Sequence, residues 1–259
     1  EKDCHDTQED NSNPRQGSSD GYDFLDRVNK KLLGLSYYAD KRKYIYYDQG
    51  YANLRESVKA TFPGKIVSIV PNSDFTKVII NTSSEKDPGT GYFYDVSKGK
   101  IEFIASYAPW LQDYDLGSTY PFEFTARDGV ELMGYLTLPP GYKKGDKIPF
   151  ILHPHGGPNA KDRFGFNPEV QIYATSGYGV LQINYRGSVG FGLKEMKLAN
   201  KQWSLAMHDD LLDGLFWAND QGYVNMDKVC ISGASYGGYS AMVGITKNPD
   251  IFKLSLIHI

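Results

Sequence analysis

The chain has 259 residues, 41% hydrophobic and 23% charged, an ordinary balance for one large or two small globular domains. Its formal net charge of −3 gives no electrostatic reason to expect nucleic acid or an anionic membrane as a partner, and no apolar run approaches the ~18 residues of a membrane span. Two cysteines, Cys4 and Cys230, cannot make a disulfide framework and are expected to be free.

Glu1 to Gly21 is polar and reads as a disordered tail or exposed loop. Cys4-His5 has no partner pair at ligand spacing, so no metal is expected there. Tyr22 to about Trp110 reads as β. Lys43 to Tyr47 is a strand closed by Asp48-Gln49-Gly50. Lys65–Val70, Lys77–Thr82, Tyr92–Val96 and Ile101–Ala105 follow, separated by Pro71-Asn72-Ser73-Asp74, Asp87-Pro88-Gly89 and Ser97-Lys98-Gly99. Short strands with a turn between each pair fit a β-propeller blade or a small sandwich. The stretch is too short for a whole propeller, and no internal repeat is evident. Asn81-Thr82-Ser83 is a glycosylation sequon, meaningful only in a eukaryotic secretory setting; the compartment is otherwise unknown.

Ala108 to Ser118 reads as a linker. Thr119–Arg127 and Val130–Leu138 form a predicted hairpin around a two-residue turn, Asp128-Gly129. From Pro149 the period changes. Pro149–Leu152 is a continuous apolar strand, and Pro168–Thr175 a helix capped by Asn167 with Gly177 beyond its end. Gly179–Tyr185 is a strand, and Asp209–Asn219 an amphipathic helix whose Asp209 and Asp210 read as caps. Val229–Ser232 and Phe252–Ile257 are the last strands. Strands alternating with helices imply an α/β fold with a doubly wound, mostly parallel sheet.

Between the Val229 strand and the next helix stands Gly233-Ala234-Ser235-Tyr236-Gly237, a G-x-S-x-G nucleophile elbow in strand-turn-helix context. A serine hydroxyl attacks a carbonyl only when it faces an open cleft beside a base. A sharp turn presents it, and Gly233, Gly237 and Gly238 remove the side chains that would clash where helix crosses strand. A glycine-rich turn that only binds phosphate or packs tightly is the competing reading. His155-Gly156-Gly157-Pro158 follows the Pro149 strand and can aim amides at a reacting oxygen. Ser235 is therefore the candidate nucleophile. The Gly157 and Tyr236 amides are the candidate oxyanion hole, with His155, Gly156, Gly233, Gly237 and Gly238 shaping the site. No metal or other cofactor is expected. His153 and His155 lack a third ligand.

His155-Gly156-Gly157-Pro158, Asn184-Tyr185-Arg186-Gly187-Ser188-Val189-Gly190-Phe191-Gly192, Asp209-Asp210 and Gly233-Ala234-Ser235-Tyr236-Gly237-Gly238 together resemble the prolyl oligopeptidase family of serine peptidases. The Ser-Tyr-Gly-Gly form is most similar to its dipeptidyl-peptidase IV and acylaminoacyl-peptidase branches. The resemblance covers about Tyr120 to Lys253 and implies an α/β-hydrolase domain preceded by propeller blades. It divides the chain into a tail at 1–21, a partial propeller at 22–115 and the N-terminal part of a peptidase domain at 116–259. It also implies an oligopeptide substrate and an acyl-enzyme on Ser235.

In this fold the triad acid and base follow the serine. Only Asp250 and His258 do so here, and neither reads as a triad partner. The chain is therefore expected to be a fragment with little activity of its own. A carboxylesterase needs the same elbow, and a non-catalytic peptide- or partner-binding module needs no base; both stand as alternatives.

Overall fold

The computed structural model describes residues 22–26, 28–38 and 41–258, so the expectations for the tail at 1–21, with Cys4 and His5, lie outside the described residues. Three sheets are present. Strands β1 (Tyr22–Asp26), β2 (Lys31–Tyr38) and β3 (Arg42–Tyr46) form an antiparallel three-stranded sheet. Strands β4 (Ile66–Pro71), β5 (Lys77–Ser84), β6 (Asp87–Asp95) and β7 (Lys100–Ser106) form an antiparallel meander.

Between them lies helix α1 (Gln49–Thr61), which corrects the all-β reading of this region. The Asp48 side chain, taken as part of a turn, accepts the Tyr51 N–H at 2.8 Å and so caps the helix. Tyr51, Leu54, Arg55 and Val58 then recur at helical spacing and are buried. The α1 face meets Val67, Ile69, Val78 and Ile80 from one side of the meander, together with Leu33, in a hydrophobic cluster. A second correction concerns Asp87-Pro88-Gly89, which lies within β6; the turn is one step earlier, at Glu85 and Lys86.

The third sheet is mixed, in the order β13-β12-β10-β11-β9-β8. Strands β8 (Ser118–Thr125) and β9 (Glu131–Leu138) make a hairpin. Its loop is longer than two residues, closed by Ala126 N–H to the Val130 carbonyl at 2.8 Å. Strand β9 pairs antiparallel with β11 (Gly179–Asn184), while β10 (Ile148–Leu152), β11, β12 (Val224–Ala234) and β13 (Phe252–His258) run parallel. The helices of this half are α2 (Pro168–Thr175), the short α3 (Leu193–Lys197), α4 (Ala206–Asp220) and α5 (Tyr236–Lys247). Asn167 caps α2 through its side chain.

Alternation along β12 shows the layering. Ile231 enters the cluster shared with Leu211 and Leu215 of α4 and Ala241 of α5. Its neighbour Ser232 points to the opposite face, where its hydroxyl meets Tyr173 of α2 at 3.0 Å. Helices thus cover both faces of the sheet, and the parallel strand ends of β10, β11 and β12 open onto one edge. Cys230 is a free thiol and half-buried.

Candidate active site

Ser235 sits between β12 and α5 with φ 56° and ψ −118°, a conformation L-residues rarely adopt. Its side chain is exposed, and its amide donates to the His258 carbonyl at 3.0 Å. The glycines explain how so sharp a turn closes. A Cβ on Gly233 would lie 2.5 Å from the Gly237 carbonyl carbon, and one on Gly237 2.2 Å from the Pro154 carbonyl oxygen. A Cβ on Gly238 would come within 3.1 Å of the His258 carbonyl oxygen. The elbow is therefore wedged between its own helix, the loop after β10 and the end of β13.

The loop after β10 lies directly against the serine. An ideal Cβ on Gly156 would stand 3.4 Å from Ser235 Cβ and 4.0 Å from its Oγ. Gly157 follows at φ 128°, where a Cβ would strike the Asn159 and Ala160 amides. His155 fixes this loop from behind. Its ring stacks on Tyr185 at 4.3 Å between centroids, its Nε2 meets Ser188 Oγ at 3.0 Å, and its carbonyl accepts the Tyr185 hydroxyl at 2.9 Å. Burial pushes the His155 imidazole down to about 4, so it stays neutral near pH 7. Tyr185, at the end of β11, also packs at 5.5 Å on Tyr236, and Trp203 meets Tyr236 edge-on at 4.8 Å. An aromatic column thus links the His155 loop to the first residue of α5. The sequence motif containing Tyr185 and Ser188 was visible, but nothing in it revealed these contacts.

The other histidines among the described residues lie elsewhere. His153 donates from Nδ1 to the Ser232 carbonyl at 2.9 Å, and burial lowers its pKa. His208 on α4 holds Asn248 at 2.8 Å. His258, opposite Ala234 in the parallel register, touches Ser235 through its backbone carbonyl. Asp250 lies in the turn after α5.

Asp209 and Asp210 do not cap α4, which begins three residues before Asp209 after Leu205. The fully buried Asp210 instead receives Arg186 through Nε at 2.8 Å, Nη2 at 2.7 Å and the backbone N–H at 2.9 Å. Arg186 also pairs with Asp128 at 2.7 Å, and Asp209 with Arg127 at 3.2 Å. These acids fasten the loop after β11 and the β8–β9 hairpin to α4.

A serine on a strained elbow above a mixed sheet with helices on both faces defines an α/β-hydrolase fold. Residues 164–259 match the prolyl oligopeptidase family, and over this stretch the chain belongs to that family. It is 37% identical over 203 residues to dipeptidyl aminopeptidase BIII of Pseudoxanthomonas mexicana, a match covering 76% of this chain and 30% of that protein. It is 34% identical over 211 residues to dipeptidyl peptidase family member 6 of Caenorhabditis elegans, covering 73% and 28%. Among solved structures, a puromycin-hydrolyzing peptidase of Mycobacterium tuberculosis superposes with a TM-score of 0.70 at 20% identity, covering 89% of this chain and 35% of that one. Acylaminoacyl peptidase of Pyrococcus horikoshii superposes with a TM-score of 0.61 at 22% identity, covering 86% and 34%. The chain thus spans about 30% of the length of these two curated relatives. No helix among the described residues is long and apolar enough to cross a membrane.

Proposed function

We propose that the protein containing this chain is a serine peptidase that hydrolyses short peptides through an acyl-enzyme on Ser235. The observation that carries the reading is the exposed Ser235, strained at φ 56° on the β12–α5 elbow with Gly156 against its side chain. Ser235 Oγ attacks the scissile carbonyl, its proton passes to a base, and the oxyanion is held by the Gly157 and Tyr236 amides. Losing one such donor costs about 3 kcal/mol of transition-state stabilisation. His155, Gly156, Gly233, Gly237 and Gly238 keep the two loops in register. Residues 22–115, with their two antiparallel sheets, form part of a β-propeller, and residues 116–259 form part of the hydrolase domain.

The base and its acid are the open part of this site. Among the described residues, none of His153, His155, His208 and His258 has a hydrogen bond to Ser235 Oγ or an Asp partner that would orient it. The chain alone is therefore a weak nucleophile. Elbow and oxyanion hole without a base leave about 10³ to 10⁴-fold over water. This favours a second reading of the isolated chain as a peptide-binding module without turnover.

The test has two arms. A fluorophosphonate probe should label the chain slowly and only at Ser235, and Ser235→Ala should remove the label. The complete gene product should cleave dipeptide p-nitroanilides; if it turns over only p-nitrophenyl esters, it is a carboxylesterase. Rapid stoichiometric labelling of the isolated chain would place a working base within it, with His258→Ala the first variant to make.

A further inference from the structure

Where the two halves of the chain meet lies a cavity of about 320 Å³. It is within the size range of small-ligand sites. Its walls come from β3, helix α1, the start of β4 and, from the mixed-sheet half, Phe164 on the loop between β10 and α2. Lys41, Arg42, Lys43, Arg55, Lys59 and Lys65 border it, against one acid among the described residues, Glu56.

Part of that charge is met within the protein. Lys65 pairs with Asp87 at 2.8 Å, and Lys59 loosely with Glu56 at 3.9 Å. Arg42 Nε donates to the Ser36 hydroxyl at 2.9 Å. Lys41 meets the face of an aromatic ring, its Nζ 4.3 Å from the Phe164 centroid.

Arg55 is different. It is 5% exposed, and no carboxylate among the described residues pairs with it. Its Nε donates to the Tyr46 hydroxyl at 3.2 Å and its Nη2 to the Val67 carbonyl at 3.0 Å, while its Cζ lies 3.8 Å from the Tyr44 ring centroid. The Tyr51 hydroxyl is also beside it. All of these groups are neutral. The remaining nitrogen, Nη1, has no hydrogen-bond partner among the described residues and is not closed off from solvent. Arg186, 7% exposed, shows the contrast, because it takes both carboxylate oxygens of Asp210 and both of Asp128. A guanidinium is seldom so deeply buried without an opposite charge. Arg55 thus offers a donor without a counter-charge to a cavity whose other charges are mostly positive.

We propose that this cavity binds the carboxylate of a peptide, with Arg55 and Lys41 on its oxygens and the adjoining carbon atoms against Tyr44, Ile66 and Phe164. Charge complementarity selects the occupant. A cation would meet six like charges, and a neutral group would leave Arg55 without a counter-charge. A carboxylate on a carbon stem, unlike a bare phosphate, also uses the apolar wall. The peptide as carrier rests on the peptidase reading above. The preference for an anion does not, and equilibrium binding needs no turnover, so the two can fail separately.

Two ligand pairs separate the sources of the carboxylate. Nα-acetyl-leucine against its amide represents a chain terminus, and Nα-acetyl-glutamate methylamide against Nα-acetyl-glutamine methylamide a side chain. Each is titrated into the 259-residue chain carrying ¹³C-methyl isoleucine, with the Ile66 δ-methyl as the reporter and the other isoleucines as controls. At least one acid should shift Ile66 selectively and bind at least about tenfold more tightly than its neutral twin, a difference typical of one charge-assisted contact. The pair that shows it identifies the source. Arg55→Gln should bring that acid and its twin to similar affinities. Should this variant fail to fold, Lys41→Gln, at an exposed side chain, should weaken the acid several-fold and leave the twin unchanged. Equal affinities within both pairs would overturn the proposal, as would an acid preference unchanged by Arg55→Gln, or by Lys41→Gln where the first variant does not fold. Shifts confined to isoleucines other than Ile66, no shift at ~10 mM ligand, or inorganic phosphate binding as tightly as the acids would overturn it equally.

Discussion

At the scale of single residues, two residues hold unfavourable states that the surrounding packing enforces. Ser235 is held at φ 56°, which costs a non-glycine residue about 1–3 kcal/mol. Ser235→Gly should therefore raise the unfolding free energy by about 1 kcal/mol, even after glycine's extra freedom in the unfolded chain is counted. Ser235→Ala keeps the strain and should leave stability within about 0.5 kcal/mol. Thermal unfolding of the two variants side by side is the check, and a glycine variant no more stable than the alanine variant would mean that the turn is relaxed. Asp162 is the second case. Its Oδ1 accepts Gln182 at 2.7 Å, its Oδ2 is closed off from solvent with no hydrogen-bond partner among the described residues, and burial pushes its pKa up to about 7. Between its ordinary pKa near 3.8 and about 7 the native state holds a proton that the unfolded state has lost, so Asp162 makes stability fall as pH rises through that window. His155 acts in the opposite sense. Its folded pKa of about 4 lies below its ordinary 6.5, so in that interval the unfolded chain binds the proton and stability rises with pH. Asp162→Asn should remove the falling contribution and leave a steeper rise in melting temperature from about pH 4 to 6.5. Parallel curves for variant and parent would show that Asp162 titrates normally.

At the scale of elements, the loops carrying the site are held by ion pairs of unequal weight. Asp210 is fully buried on α4 and binds Arg186 at the end of β11, whereas Asp128 on the hairpin loop keeps 46% of its side chain exposed. Removing one partner of a buried pair strands the other charge and costs about 3–5 kcal/mol, whereas an exposed pair is worth under ~1 kcal/mol. Asp210→Ala should therefore lower the urea midpoint far more than Asp128→Ala, and equal losses would mean that the two carboxylates share Arg186 evenly. Sequence reasoning located the elements by period and the elbow by its glycines, and α2 begins and ends where Asn167 and Gly177 predict. It missed α1 because Gly50 beside Gln49 looked like a turn, although Asp48 and the Tyr51, Leu54, Arg55, Val58 spacing carried a helix signal. It misread Asp209 and Asp210 as caps because their partners, Arg127 and Arg186, are over 20 residues away in the chain. The elbow at Ser235 was legible because its turn is local. The ring stack of His155 on Tyr185 was not, because it joins the ends of two strands separated by α2.

At the scale of the molecule, the described residues contain two hydrophobic clusters with no member in common. One joins α1 to Leu33 and the β4–β7 meander, and the other fills the mixed sheet beneath α4 and α5. Gln171 of α2 is a buried polar tie between the two halves. Its Oε1 accepts the Gly117 N–H at 2.8 Å, and its Nε2 donates to the Gly117 carbonyl at 3.0 Å and the Glu85 carbonyl at 2.8 Å. Hydrophobic cores with no member in common unfold as separate cooperative units where the contacts between them are few. Calorimetry should resolve two transitions. Ile80→Ala, at a site with no exposed surface, should shift only one, by about 2–5 kcal/mol, and Leu215→Ala, equally buried, should shift only the other. Gln171→Ala leaves the Gly117 N–H and two carbonyls without their partner, at about 1–3 kcal/mol for each such group that stays dry. Because Glu85 lies in the meander and Gly117 just before β8, that variant should also move the two transitions further apart. A single transition that Ile80→Ala and Leu215→Ala displace equally would show instead that the polar tie is strong enough to make one folding unit of two cores.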